Sequence, residues 1–232
     1  VSGINTVVIL SAGKGNRMKA KINKQFLMLQ NKPVIAYALA AFEQCSEIDE
    51  IIVVVASDEL EYFKTNILHK FDFHKVKEVV AGGSERQQSA YNGLKSVSQD
   101  SEIILIHDGA RPFVSQQTII NCINEAKICG AASAGMPSKD TIKIVDQNGI
   151  VTSTPPRDKV WQTQTPQAFK RALIIEAHEI ARHKQITATD DAMLIEMLGY
   201  PVKMVTATYE NIKITTPEDL SLGEQLIKDI NK

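Results

Sequence analysis

The chain has 232 residues, 44% of them hydrophobic, and a formal net charge of −1 with acids and bases interspersed. That length suits one large domain or one domain with an appendage, and the balanced charge argues against nucleic-acid binding by bulk electrostatics. No apolar run approaches the roughly 20 residues that span a bilayer and no signal-peptide pattern opens the sequence, so a cytoplasmic protein is expected, with Cys45, Cys122 and Cys129 reduced.

The elements alternate along the chain. Thr6 to Leu10 reads as a short apolar strand, and Pro33 to Phe42 as a helix with Pro33 in its first turn. Ile51 to Val55 is β-branched throughout and reads as a strand buried on both faces. A helix follows over 58–68, with Asp58 as a candidate cap. Val76 to Val80 is a third strand, Glu85 to Leu94 a helix, and Glu102 to Ile106 a fourth strand. Ser115 then fits the N-cap of a helix reaching Cys129. This order predicts an α/β fold, a mostly parallel sheet with helices on both faces. The rhythm breaks at Lys139 to Thr154, where Asn148-Gly149 between two β-prone runs predicts a hairpin. Such a hairpin could project as an arm or fold back on its own domain. Helical pattern returns over Lys170 to Arg182 and Asp191 to Leu198, with a strand at Val202 to Val205. The segment ENIKITTPEDL then reads as a short strand and a helix start, with Thr216 as N-cap, Pro217 first in the helix and Asp219 in its first turn.

The chemistry gathers at strand ends, where ligands of open α/β sheets lie. After the first strand comes SAGKGNRMK, which matches no Walker A loop and lacks the third glycine of a dinucleotide fingerprint, Met18 standing there. Its two glycines still let the backbone approach an anion, and Lys14, Arg17, Lys19, Lys21 and Lys24 crowd cations beside them, a set that suits a polyphosphate. A solvated turn also fits. After Val80 comes AGGSERQQS, whose glycine pair could present backbone groups to a base or phosphate; Ser84 as a plain N-cap also fits. After Ile106 comes HDGARPF. Asp108 there needs a partner, either Mg²⁺, a ligand hydroxyl or a salt bridge to Arg111. Arg157 and Thr165 sit in a proline-interrupted loop, and Arg157 could hold a phosphate bidentately. In TATDDAM, Thr189 as N-cap with acids in the first turn explains Thr189, Asp190 and Asp191 without a ligand.

Seven segments in order, SAGKGNRMK…NKQF, GGSERQQS, HDGARPF, KDTIK, PPRDKVWQTQTPQAF, ATDDA and ENIKITTPEDL, together resemble the 2-C-methyl-D-erythritol 4-phosphate cytidylyltransferases of non-mevalonate isoprenoid biosynthesis. The resemblance implies a Rossmann-like nucleotidyltransferase fold, with residues 1–232 as a single domain and 138–163 as an inserted arm that joins a homodimer. It implies CMP transfer from CTP to methylerythritol phosphate, with Mg²⁺ as cofactor and no nucleic-acid or membrane partner. By the same resemblance Ala12, Gly13, Lys14 and Gly15, with Arg17 and Lys24, hold the triphosphate. Gly83, Ser84 and Ser89 read cytosine, largely through backbone groups. Asp108 and Gly109 contact ribose, metal and acceptor. Arg111, Thr141, Arg157, Thr165, Thr189 and Lys213 belong to the acceptor, Thr141 and Arg157 reaching it from the neighbouring subunit. Arg17, Lys24, Arg157 and Lys213 form the implied catalytic set. The sequence departs from the family pattern at Ser11, Asn23 and Ser84, the last of which favours a backbone contact to the base over a side-chain one. Ribitol 5-phosphate as acceptor and a noncatalytic nucleotide-binding regulator are the alternative readings.

Overall fold

The computed structural model describes residues 3–13 and 24–230. From the amino end, β1 (Ile4–Ser11) precedes a short antiparallel pair, β2 (Met28–Leu29) and β3 (Lys32–Pro33), and helix α1 (Val34–Glu43). The alternation continues with β4 (Glu50–Val55), α2 (Leu60–Phe63), β5 (Val76–Ala81), α3 (Arg86–Leu94), β6 (Ser101–Asp108) and α4 (Gln116–Cys129). Next come β7 (Ala131–Pro137), β8 (Ile144–Val145), β9 (Val151–Ser153) and β10 (Trp161–Lys170). Helices α5 (Arg171–His183) and α6 (Asp191–Met197), strand β11 (Lys203–Thr206) and α7 (Pro217–Ile230) complete the chain.

One sheet of seven strands runs β11-β7-β10-β6-β1-β4-β5. Its pairs are parallel except those of β10, which runs antiparallel to both β6 and β7. Strand alternation sends side chains to two cores. Val7, Ile9, Ile51, Val53, Ile103 and Leu105 face the core shared with α1 and α4. Val8, Leu10, Ile52, Val54, Ile104 and Ile106 face the core shared with α3, α5 and α6. Helices therefore cover both faces, as the β-branched strands require.

Several local expectations shift. The 58–68 helix divides into a 3-10 turn at Ser57–Glu59, α2, and a π turn at Lys64–Leu68, and Asp58 makes no cap bond. Pro33 stands at the N-cap of α1, one residue ahead of the helix. Ser115 caps α4 as expected, accepting from the Thr118 N–H. No strand forms over 210–216; the segment is held by the buried Ile214, whose N–H donates to the Ala110 carbonyl at 2.8 Å. Thr216 does cap α7, accepting from Asp219 N–H at 3.3 Å while the Asp219 carboxylate accepts from Thr215 and Thr216 N–H.

The hairpin forms as β8 and β9, a two-stranded sheet separate from the main one. Its tip is an Asx turn: Asp146 Oδ1 accepts from the N–H groups of Asn148 and Ile150 at 2.9 Å each. Gly149 there has φ +80°, a conformation that glycine adopts without a Cβ penalty. Ile144, Val145, Ile150 and Val151 are exposed along it.

Candidate active site

The parallel strands β1, β5 and β6 end on the same edge of the sheet, and their carboxyl ends frame a cavity of about 490 Å³ lined by Ser11, Ala12, Gly13, Gly83, Ser89, Asp108 and Lys213, among others. Two glycines let these ends converge. A Cβ on Gly109 would sit 2.1 Å from Ser11 Oγ, and one on Gly82 would sit 2.3 Å from Ala12 Cβ. A second cavity of about 320 Å³, lined by Arg111, Gln164, Thr165, Gln167, Thr189 and Asp190, shares Arg86, Asp108 and Lys213 with the first.

The turn after β5 is fixed by its own side chains. Gly83 N–H donates to Ser89 Oγ at 3.0 Å, and that hydroxyl donates to the Glu85 carbonyl at 3.0 Å. Ser84 does not cap α3. Glu85 holds the N-cap position, and Ser84 N–H and Oγ both donate to Gln88 Oε1 at 3.0 Å.

Asp108, at the end of β6, is the hub. Lys213 Nζ donates to its Oδ2 at 2.6 Å and Arg86 Nε to its Oδ1 at 3.2 Å. Arg111, the partner that sequence reading offered, stands farther off, its Nε 4.0 Å from Oδ2. Arg111 is instead fixed by Nη1 donating to the Asn211 carbonyl at 2.7 Å. Burial pushes the Asp108 carboxyl up, but the charges of Arg86 and Lys213 outweigh it and hold the group well below the usual carboxylate range.

A bulge in β10 supplies the next contact. Between Thr163, opposite Gly135, and Gln167, opposite Ser133, the ladder shifts, and Thr165 turns its hydroxyl toward β6. Thr165 Oγ1 accepts from Asp108 N–H at 3.0 Å and bonds His107 Nδ1 at 3.1 Å. Burial pushes His107 down to about 4, so at neutral pH it is an uncharged element of this frame.

Behind the hub lies a buried network. Arg86 Nη1 donates to Asp191 Oδ2 at 2.7 Å, and His178 Nε2 lies 2.9 Å from Asp191 Oδ1. Gln167 Oε1 accepts from Asp191 and Ala192 N–H, and Gln167 Nε2 donates to Asp190 Oδ2 at 2.9 Å. Asp190, rather than Thr189, caps α6, accepting from Met193 N–H. Thr189 is exposed at the rim of the smaller cavity.

The structure thus brings Ala12, Gly13, Gly83, Ser84, Ser89, Asp108 and Lys213 to one cavity and Arg111, Thr165 and Thr189 to the adjoining one. Gly109 lies beside them, its N–H donating to the Leu10 carbonyl. Thr141 and Arg157 line neither; both are exposed on the arm segment, Arg157 Nη1 reaching only the Lys139 carbonyl at 3.4 Å. Lys14, Gly15 and Arg17 lie outside the described residues, and of Lys24 only the backbone is described. Among the described residues no group of three or more His, Cys, Asp or Glu could hold a metal ion. Two contributors were not singled out from sequence. Arg86 joins Asp108 to Asp191, and the buried Gln25 donates from Nε2 to the Ser11 carbonyl, tying the far side of the glycine loop to the end of β1. Both stand inside the quoted motifs, GGSERQQS and NKQF, which is where such signals were legible.

Residues 5–229 match the family model described as 2-C-methyl-D-erythritol 4-phosphate cytidylyltransferase. The chain is 49% identical over 223 residues to the protein of that name from Alkaliphilus oremlandii, covering 96% of this chain and 94% of the relative. It is 48% identical to the one from Clostridium acetobutylicum, covering 97% and 98%. Among solved structures, the 4-diphosphocytidyl-2C-methyl-D-erythritol synthase of Anaerococcus prevotii superposes with a TM-score of 0.87 at 33% identity, covering 98% of this chain and 97% of that one. With this match running along nearly its whole length, the chain belongs to the 2-C-methyl-D-erythritol 4-phosphate cytidylyltransferase family.

Proposed function

We infer that the protein transfers CMP from CTP to 2-C-methyl-D-erythritol 4-phosphate, releasing pyrophosphate and forming 4-diphosphocytidyl-2-C-methyl-D-erythritol. The observation that carries this reading is the pair of adjoining cavities that share Asp108, Arg86 and Lys213. The larger takes the nucleotide, its base against the 82–84 turn and its triphosphate toward Ala12 and Gly13. The N–H groups of Gly83 and Ser84 are already bonded within the turn, so the base edge is read by carbonyls and by the shape of a fixed loop. The smaller takes the acceptor, whose hydroxyls meet Thr189 and the Asp108 carboxylate.

A phosphate oxygen of the acceptor attacks the α-phosphorus of CTP. A new P–O bond forms, the bond to the β-phosphate breaks, and pyrophosphate leaves with that electron pair. Both reactants are anions, so the protein's task is to bring them together and hold the charge that grows on the leaving oxygens. Lys213 and Arg111 face the acceptor phosphate; Arg17 and Lys24 serve the triphosphate. The acceptor phosphate is ionised at neutral pH, so no general base and no covalent nucleophile are required. Mg²⁺ would be held mainly by the substrate phosphates; Asp108 is the carboxylate nearest them, and its two oxygens are already bonded by Lys213 and Arg86. When so bound the ion adds positive charge at the phosphates.

Two further parts of the reading concern the whole molecule. The arm, with its exposed Ile144, Val145, Ile150 and Val151, pairs two subunits, and Arg157 and Thr141 complete the neighbour's acceptor cavity. The cytoplasm is the setting that three unpaired cysteines fit. The test is a pyrophosphate-release assay with CTP and Mg²⁺ comparing acceptors. Turnover with methylerythritol phosphate well above that with ribitol 5-phosphate is expected. Preference for ribitol 5-phosphate would reassign the acceptor, and CTP binding with no release for either would make the protein a nucleotide-binding regulator.

A further inference from the structure

We propose that Arg86 is a positioning residue which keeps Asp108 charged and in place when Lys213 turns from it to the acceptor's phosphate. This role presupposes the transfer reaction proposed above, in which Lys213 binds the acceptor. Asp108 Oδ2 is held by Lys213 at 2.6 Å. The Lys213 ammonium has three donors, and turning it toward the incoming phosphate lengthens or gives up its one bond to Asp108. Its departure would leave a carboxylate that is only 10% exposed with one cation fewer, a costly state unless another remains.

Arg86 is built to remain. Its Nε donates to Asp108 Oδ1, the oxygen that Lys213 does not use, at 3.2 Å. Its Nη1 is anchored from behind by Asp191 Oδ2 at 2.7 Å. Asp191 is itself immobile: its side chain is 1% exposed, its second oxygen faces His178 Nε2 at 2.9 Å, and its N–H is fixed on Gln167 Oε1. The guanidinium is a planar fork that can bind two acids at once, whereas a lysine ammonium on a flexible stem is suited to moving between them. Arg111 adds charge only at longer range, its Nη1 being committed to the Asn211 carbonyl and its Nε 4.0 Å from Asp108 Oδ2. The two cations hydrogen-bonded to Asp108 thus divide the work, one fixed and one free to change partners.

A double-mutant cycle tests this on kcat/KM for the acceptor at saturating CTP. Arg86→Met should cost about 10²-fold or more with Asp108 present, because truncating one partner strands a buried charge that then recaptures Lys213. In an Asp108→Asn background only the Asp191 pairing is left to lose, so the same change should cost at least about tenfold less than it does beside Asp108. If Arg86→Met does not fold, Arg86→Lys enters the same cycle, with about a tenfold loss beside Asp108 and none beside Asn. An active wild type with equal losses in both backgrounds, or with no loss, overturns the Arg86 role alone. A wild type that releases no pyrophosphate overturns the transfer reaction and this role with it.

Discussion

The hub around Asp108 and the arm over 138–163 carry residues of the same expected site in opposite physical settings. At the hub, side chains from β6, α3, α6 and the segment before α7 meet in ion pairs of 2.6 to 3.2 Å, with Thr165 and Gln167 of β10 hydrogen-bonded into the same cluster. On the arm, Arg157 and Thr141 are exposed and line neither of the two cavities at the hub. The hub's contacts are made within one chain; the proposed role of the arm needs a second one. The difference teaches that a site's motifs can be continuous in sequence order while its geometry divides between what one chain buries and what it holds out.

The largest effects should come from removing cations that serve the phosphates. Lys213→Ala and Lys24→Ala should each keep the fold, as read by circular dichroism, and lose roughly 10²–10³-fold in kcat. An unchanged rate in either would break the assignment of that residue. Inside the hub, His107 offers a pH test. Burial lowers its folded value to about 4 from an ordinary 6.5. Below 6.5 the unfolded chain takes up a proton that the native state refuses, so stability falls as pH drops from 6.5 to 4 and this contribution levels off below. The loss should reach about 3 kcal/mol in urea unfolding, and His107→Asn should flatten that slope.

The arm should respond differently. Arg157→Ala should leave single-chain stability unchanged and weaken acceptor use by about tenfold or more, as for a phosphate contact made across an interface. If Arg157 serves the neighbour, mixing the impaired Lys213→Ala and Arg157→Ala proteins should raise activity to about a quarter of wild type, because half the two-fold dimers then contain one intact site. Mixtures no more active than their parents, or a deletion of Thr141 to Thr154 that leaves the molecular mass in solution unaltered from wild type, would break the comparison at its second half. As a small control outside both regions, Asp219→Ala should cost about 1 kcal/mol of stability through the lost cap and leave kcat alone.

What could be read from sequence follows the physics of each segment. IIVVV at 51–55 announces a strand because β-branched side chains suit a pleated surface packed on both faces. The Asn148-Gly149 tip and the Ser115 cap are local signals and formed locally. Strand β7, AASAGMP, gave no such sign. Its small residues are selected by close neighbours, a Cβ on Gly135 being 2.6 Å from Met204 Cε and 2.9 Å from the Gln162 carbonyl. Strand β10, WQTQTPQAFK, is hidden by its glutamines and Pro166, polar because Gln167 serves the network behind the hub and Thr165 the hub itself. Arg86 escaped attention for a related reason. Its partners lie 22 and 105 residues away, and only the folded sheet sets them side by side. The Asp190 cap was misread by one residue because Thr189, Asp190 and Asp191 are all acceptable cap types.

The central claim is that the edge where β1, β5 and β6 end gathers two anions between fixed cations. A crystal structure with CTP and Mg²⁺ tests it most directly. The account predicts the cytosine against Gly83 and Ser84, the triphosphate along Ala12 to Arg17 and within reach of Lys24, and Arg86 still bridging Asp108 and Asp191. A nucleotide seated away from that edge, with the 82–84 turn and Asp108 untouched, would contradict it.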